Sequence, residues 1–67
     1  MNNDIFKGKW KQLRGRVKEK WGELTNDELD QIQGKQEVLA GKLQEKYGMT
    51  RKEAEKEISK FLENIEV

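Results

Sequence analysis

The chain has 67 residues, of which 40% are charged, yet its formal net charge is only +1, and it contains neither cysteine nor histidine. That removes disulfides, thiolate or imidazole metal sites and the commonest general base, so any catalysis would have to rely on carboxylates and lysines. A domain of this size buries about 60% of the surface its unfolded chain exposes, which allows a small core and leaves little for a deep pocket. The longest apolar run is Val38-Leu39-Ala40 and the start, MNNDIFKGK, has no apolar leader segment. Neither a membrane span nor a targeting signal is expected, and a cytoplasmic location is.

Phe6, Trp10, Leu13, Val17 and Trp21 recur at spacings of four, three, four and four, which puts them on one stripe of a 3.6-residue helix. Gly22 then stands where a helix end favours a residue at positive φ, with Leu24 beyond it to cover the last turn. Thr25-x-x-Glu28 reads as a capping box that opens a short second helix, about 26–33, carrying Leu29 and Ile32 before Gly34 interrupts it. Leu39, Leu43 and Tyr47, with Val38 beside them, form the stripe of a third helix that stops at Gly48. Thr50-x-x-Glu53 opens a fourth, about 51–64, with Ala54, Ile58, Phe61, Leu62 and Ile65.

The third and fourth helices repeat the first and second. Between 8–22 and 34–48, at an offset of 26, seven of fifteen positions are identical, including Gly8/Gly34, Leu13/Leu39, Gly15/Gly41 and Gly22/Gly48, and Trp21/Tyr47 keeps its chemistry. The expected architecture is all-α: four helices as two sequence-related hairpins, about 4–33 and 34–65, in one domain spanning 1–67. One hairpin cannot bury both of its apolar stripes, so the copies are expected to pack together with Trp10, Trp21 and Tyr47 at the junction. Gly8, Gly15, Gly34 and Gly41 have two readings: a smooth strip that another backbone approaches, or helix starts at Gly8 and Gly34 with only Gly15 and Gly41 interior, where glycine costs about 1 kcal/mol relative to alanine.

The paired segments GKWKQLRGRVKEKWGELT and GKQEVLAGKLQEKYGMTRKEAEKEI resemble the CsbD-like family of small bacterial proteins, over about 4–61. The residues carrying the resemblance are Gly8, Lys9, Trp10, Gly15, Val17, Lys18, Trp21, Gly22, Leu24, Thr25, Gly34, Leu39, Gly41, Tyr47 and Gly48. It implies a cytoplasmic bacterial protein of the general stress response, with the two hairpins packed orthogonally as in sterile-alpha-motif-like domains. It implies no reaction and brings no catalytic residues; the expectation is a non-enzymatic protein without cofactor or small-molecule substrate.

Charge is uneven along the chain. Residues 1–22 carry seven basic and two acidic side chains, net +5, and 23–67 carry seven basic and eleven acidic, net −4. Lys7, Lys9, Lys11, Arg14, Arg16, Lys18 and Lys20 are the candidate anion- or nucleic-acid-binding residues, with Lys7, Lys11, Arg14 and Lys18 on one side of the apolar stripe and Lys9, Arg16 and Lys20 on the other. Such a set can neutralise nucleic-acid phosphates. It can also border an amphipathic helix lying in an anionic headgroup layer, or simply form a solvated rim whose stems cover the core edge. Asp27, Glu28 and Asp30 lack the loop of a calcium hand and read as negative charge in a first helical turn. Low hydropathy with six glycines offers a second class of function, a hydrophilin-like protectant of macromolecules or membranes under water stress.

Overall fold

A computed structural model describes residues 3–65 and contains five α-helices in chain order: α1 Asn3–Gly8, α2 Trp10–Lys20, α3 Asn26–Ile32, α4 Gln36–Tyr47 and α5 Arg51–Glu63. Residues 1–2 and 66–67, read above as part of the domain, lie outside the described residues. No strand occurs among the described residues.

The count of five corrects the expected four, because the first helix is broken. At Lys9 the backbone leaves the helical basin, with φ −105° and ψ 8°, and α2 starts anew at Trp10. Packed against this break, 25 residues on, is the turn between α3 and α4. There Gln33 (φ 47°) and Gly34 (φ 78°) are both left-handed, and a Cβ added to Gly34 would stand 2.8 Å from the Lys7 Cα and 3.1 Å from the Trp10 Cβ. Glycine alone fits that conformation and that contact. Close backbone approach is therefore real at Gly34, whereas a Cβ at Gly8, Gly15 or Gly41 would meet nothing within 4 Å. Gly8 closes α1 rather than opening a helix, and nothing packed against Gly15 or Gly41 demands a glycine.

The core is one cluster drawn from every helix: Phe6, Leu13, Val17, Trp21, Leu24, Leu29, Ile32, Leu39, Ala40, Leu43, Ala54, Ile58 and Phe61. Trp10, Val38, Met49, Leu62 and Ile65 pack on it half-buried. Phe6 meets Trp10 at a ring separation of 5.4 Å and Trp21 meets Phe61 at 5.1 Å, both tilted, a favoured aromatic geometry. Both copies thus share their apolar faces, as neither could bury its own.

Two expectations at the helix ends divide. Gly48 is the left-handed cap of α4, with φ 67° and its N–H donating to Gln44 O. Gly22 is not its equivalent. α2 ends one residue earlier, because Trp21 turns out of the helix at φ −118°, ψ 77° to enter the core, where it is 3% exposed. Tyr47, the matching residue, stays on its helix and is 38% exposed instead of buried, its hydroxyl accepting from the Glu23 N–H at 3.1 Å. Gln36 is 7% exposed, and its Nε2 has no hydrogen-bond partner. An orphaned buried donor of this kind costs about 1–3 kcal/mol.

The glycine geometry makes opposite predictions at two positions. Gly34→Ala should destabilise by about 2 kcal/mol or more, combining a left-handed strain with a backbone collision. Gly15→Ala, in an open helical site, should stabilise by about 0.5–1 kcal/mol. Urea denaturation of the two variants beside the wild type checks both signs.

Candidate functional site

The seven cations are carried by α1, the Lys9 junction and α2, and the fold divides them. Arg14 is half-buried. Its guanidinium donates to the Asp30 carboxylate and, at 3.4 Å, to the carbonyl oxygen of Asn26, joining α2 to the start and outer side of α3. Lys18, one turn on, donates from Nζ to Leu24 O and, at 3.4 Å, to Gly22 O. It satisfies carbonyls left without partners where Trp21 pulls the chain out of the helix, and its charge sits well at the negative end of the α2 dipole. These two side chains are ties within the fold.

Lys7, Lys9, Lys11, Arg16 and Lys20 remain exposed. Arg16 and Lys20 are one turn apart on the same flank of α2. Lys20 Nζ lies 5.6 Å from the centre of the Trp21 ring, so even as a surface cation it has an aromatic rest position. Of the four cations on the Arg14 side of the stripe, Arg14 and Lys18 are engaged within the fold, while Lys7 and Lys11 on that side and Lys9, Arg16 and Lys20 on the other stay exposed. A carbonyl made free by a bent helix end is a signal that no spacing in the sequence carries.

The acidic residues opposite have structural partners. Glu28 Oε1 accepts the Thr25 N–H at 3.0 Å and meets Lys46 Nζ at 3.0 Å, while Thr25 Oγ1 accepts the Glu28 N–H at 3.1 Å. Thr50 and Glu53 repeat the capping box, at 2.8 and 3.1 Å. The Thr25 amide first and Lys46 second hold the Glu28 carboxyl below its usual range; the Thr50 amide does the same to Glu53. Lys46 and Tyr47, both from the second copy, thus reach back to the segment 23–28 of the first. Among the described residues no group of three or more acidic side chains is gathered as a metal site would need. An open hollow on α5 is lined by Met49, Glu53, Lys56, Glu57 and Lys60. Among the described residues no helix is long and apolar enough to cross a membrane.

The CsbD-like family model matches residues 4–56. The chain belongs to the CsbD-like family. It is 54% identical over 63 residues to a UPF0337 protein of Bordetella pertussis, covering 94% of this chain and 96% of the relative. It is 51% identical over 65 residues to a UPF0337 protein of Pseudomonas aeruginosa, covering 97% and 100%. With the UPF0337 protein YjbJ of Escherichia coli K12 it shares 52% identity over 58 residues, covering 87% and 84%. No solved structure matches the chain. CsbD-like proteins are general stress-response proteins. The family match stops inside α5, before Ile58 and Phe61, which nevertheless complete this protein's core.

The capping boxes give CsbD-like folding a pH dependence of defined sign. Glu28 and Glu53 have lowered pKa values when folded, so their contribution is complete above the unfolded glutamate value of about 4.3 and is lost as pH falls through the folded values. In the double variant Glu28→Gln/Glu53→Gln the amide oxygens can still accept the cap amides without titrating. Its melting temperature should fall less between pH 6 and pH 3 than that of the wild type; parallel curves would remove these two groups as the cause.

Proposed function

We propose that this CsbD-like protein is a small non-enzymatic, cytoplasmic binding module that holds the phosphates of nucleic acid on the exposed cations of α1 and α2. The observation carrying this reading is the division among the seven cations: with Arg14 and Lys18 committed to the fold, Arg16 and Lys20 are still presented on the flank of α2 that does not face α3, and Lys9 is exposed just ahead of that helix. At about 1.5 Å per residue this row extends roughly 16 Å, enough to follow several phosphates of one strand. The contacts would be to backbone charge, without base reading, so sequence preference is expected to be weak. Insertion into an anionic membrane is disfavoured because Phe6, Leu13, Val17 and Trp21 are buried in the core. The same reading takes 1–67 as one domain of two hairpins, 4–33 and 34–65, in a sterile-alpha-motif-like arrangement; the shared core and the Lys46–Glu28 pair support it.

A second reading, a hydrophilin-like protectant, is favoured by a mean hydropathy of −1.11 with 40% charged residues, a surface that hydrates strongly.

Three phosphate contacts on duplex DNA give an expected slope of log affinity against log salt of about −2.7. Lys9→Glu/Arg16→Glu/Lys20→Glu should abolish binding with the helical circular dichroism unchanged, whereas Arg14 and Lys18 must be left alone because reversing them attacks the fold. If the wild type binds neither duplex nor single strand at about 50 mM salt, the binding reading is overturned and the protectant leads. Binding to anionic vesicles alone would replace nucleic acid with a lipid surface.

A further inference from the structure

The charge imbalance is sharper than a division into two halves shows. Residues 1–22 are net +5; residues 23–37, with five acidic side chains and one basic, are net −4; residues 38–67 carry six of each. All the imbalance therefore sits in two adjoining segments, the α1–α2 segment and the stretch around α3.

These segments touch in two places, where the Gly34 turn packs on Lys7 and Trp10 and where Arg14 reaches α3. Arg14 meets Asp30 and Asn26 of α3, so α3 lies on the Arg14 side of α2. At 100° per residue, Arg16 and Lys20 lie about 160° and 120° around the helix from Arg14. They face away from α3 and are exposed. On α3, Asp27 lies about 140–160° from the buried Leu29 and Ile32, on the outward side, and Glu23 and Glu37 at either end of the stretch are exposed as well. Arg16 and Lys20 on α2 and Asp27 on α3 are thus exposed on faces turned away from the contact between these helices.

We propose that the occupant of the basic row, when no polyanion is present, is the acidic 23–37 surface of a second copy of this chain. A basic row that takes the acidic surface of the next copy leaves a basic row free at one end and an acidic surface free at the other, so the assembly grows head to tail as an open chain. Two features permit it. The net charge of +1 leaves little overall repulsion between copies. The longest dimension is 28 Å, comparable with the Debye length of about 30 Å at 10 mM salt and well above the value of about 8 Å at 150 mM. Association is therefore a low-salt, high-concentration property, and nucleic acid competes with it because both use Lys9, Arg16 and Lys20.

Sedimentation velocity of the full chain tests this without any ligand. At about 10 mM salt the weight-average sedimentation coefficient should rise with protein concentration past the dimer value; at 150 mM it should stay at the monomer's. The row variant Lys9→Glu/Arg16→Glu/Lys20→Glu and the surface variant Glu23→Lys/Asp27→Lys/Glu37→Lys, each with the wild type's helical circular dichroism, should sediment as monomers alone and associate when mixed. A monomeric wild type at 10 mM salt, a single variant that associates as the wild type does, or a mixture that stays monomeric would each overturn the proposal. Duplex DNA binding by the surface variant separates the two readings: a wild type that self-associates but ignores DNA sinks the nucleic-acid reading alone, and one that binds DNA but never self-associates sinks this one alone.

Discussion

The Gly34 backbone, left-handed and pressed to within a Cβ's reach of Lys7, is the constraint on which the rest of this fold depends. It brings the turn between α3 and α4 onto the junction of α1 and α2, so the seam of one copy is shaped by the turn that opens the next. Lys9 leaves the helix there, and Phe6 and Trp10, on either side of the break, tilt against each other. A longer side chain at position 34 would push the junction away and take the Phe6–Trp10 pair with it. The short helix α1 is thereby held against the core instead of projecting as a free extension of α2.

From that junction the cations acquire different tasks. A basic helix that merely rimmed a core would show seven equivalent side chains. Here the fold draws Arg14 into a pair with Asp30 and Lys18 onto loop carbonyls, because α3 and the bent end of α2 both need partners on that side. Left exposed are Lys7 and Lys11 on that side and Lys9, Arg16 and Lys20 on the other. The candidate surface is in this sense a remainder, defined by which charges the fold does not consume. That is why substitutions at Arg14 and at Arg16, two residues apart, have different meanings.

Features whose physics is local were legible in the sequence. Both capping boxes form because threonine and glutamate three residues apart need nothing beyond their own turn, and Gly48 caps α4 for the same reason. The apolar stripes were legible as well, since Leu13, Val17, Leu29, Ile32, Leu39, Leu43, Ile58 and Phe61 are all buried. What escaped depends on distant partners. The break at Lys9 packs against the distant Gly34 turn, and the unlike fates of Trp21 and Tyr47 follow from which of the two finds Phe61 and which finds the Glu23 amide. Gln36 is buried by its neighbours although its chemistry argues for the surface. Among the candidate site residues the sequence could mark all seven cations but not sort them, because sorting needed the positions of Asp30, Gly22 and Leu24.

Two similar segments contribute the residues of one small core. On this basis the copies should fold only as a unit. Native-state hydrogen exchange tests it most directly, by comparing the amides of Val17 in α2 and Leu43 in α4, the two inner stripes. If the copies are inseparable, both amides open with the same free energy and the same denaturant dependence, equal to those of global unfolding. If Val17 exchanges through a cheaper opening while Leu43 keeps the full protection, the second copy stands without the first and the two do not fold as a unit.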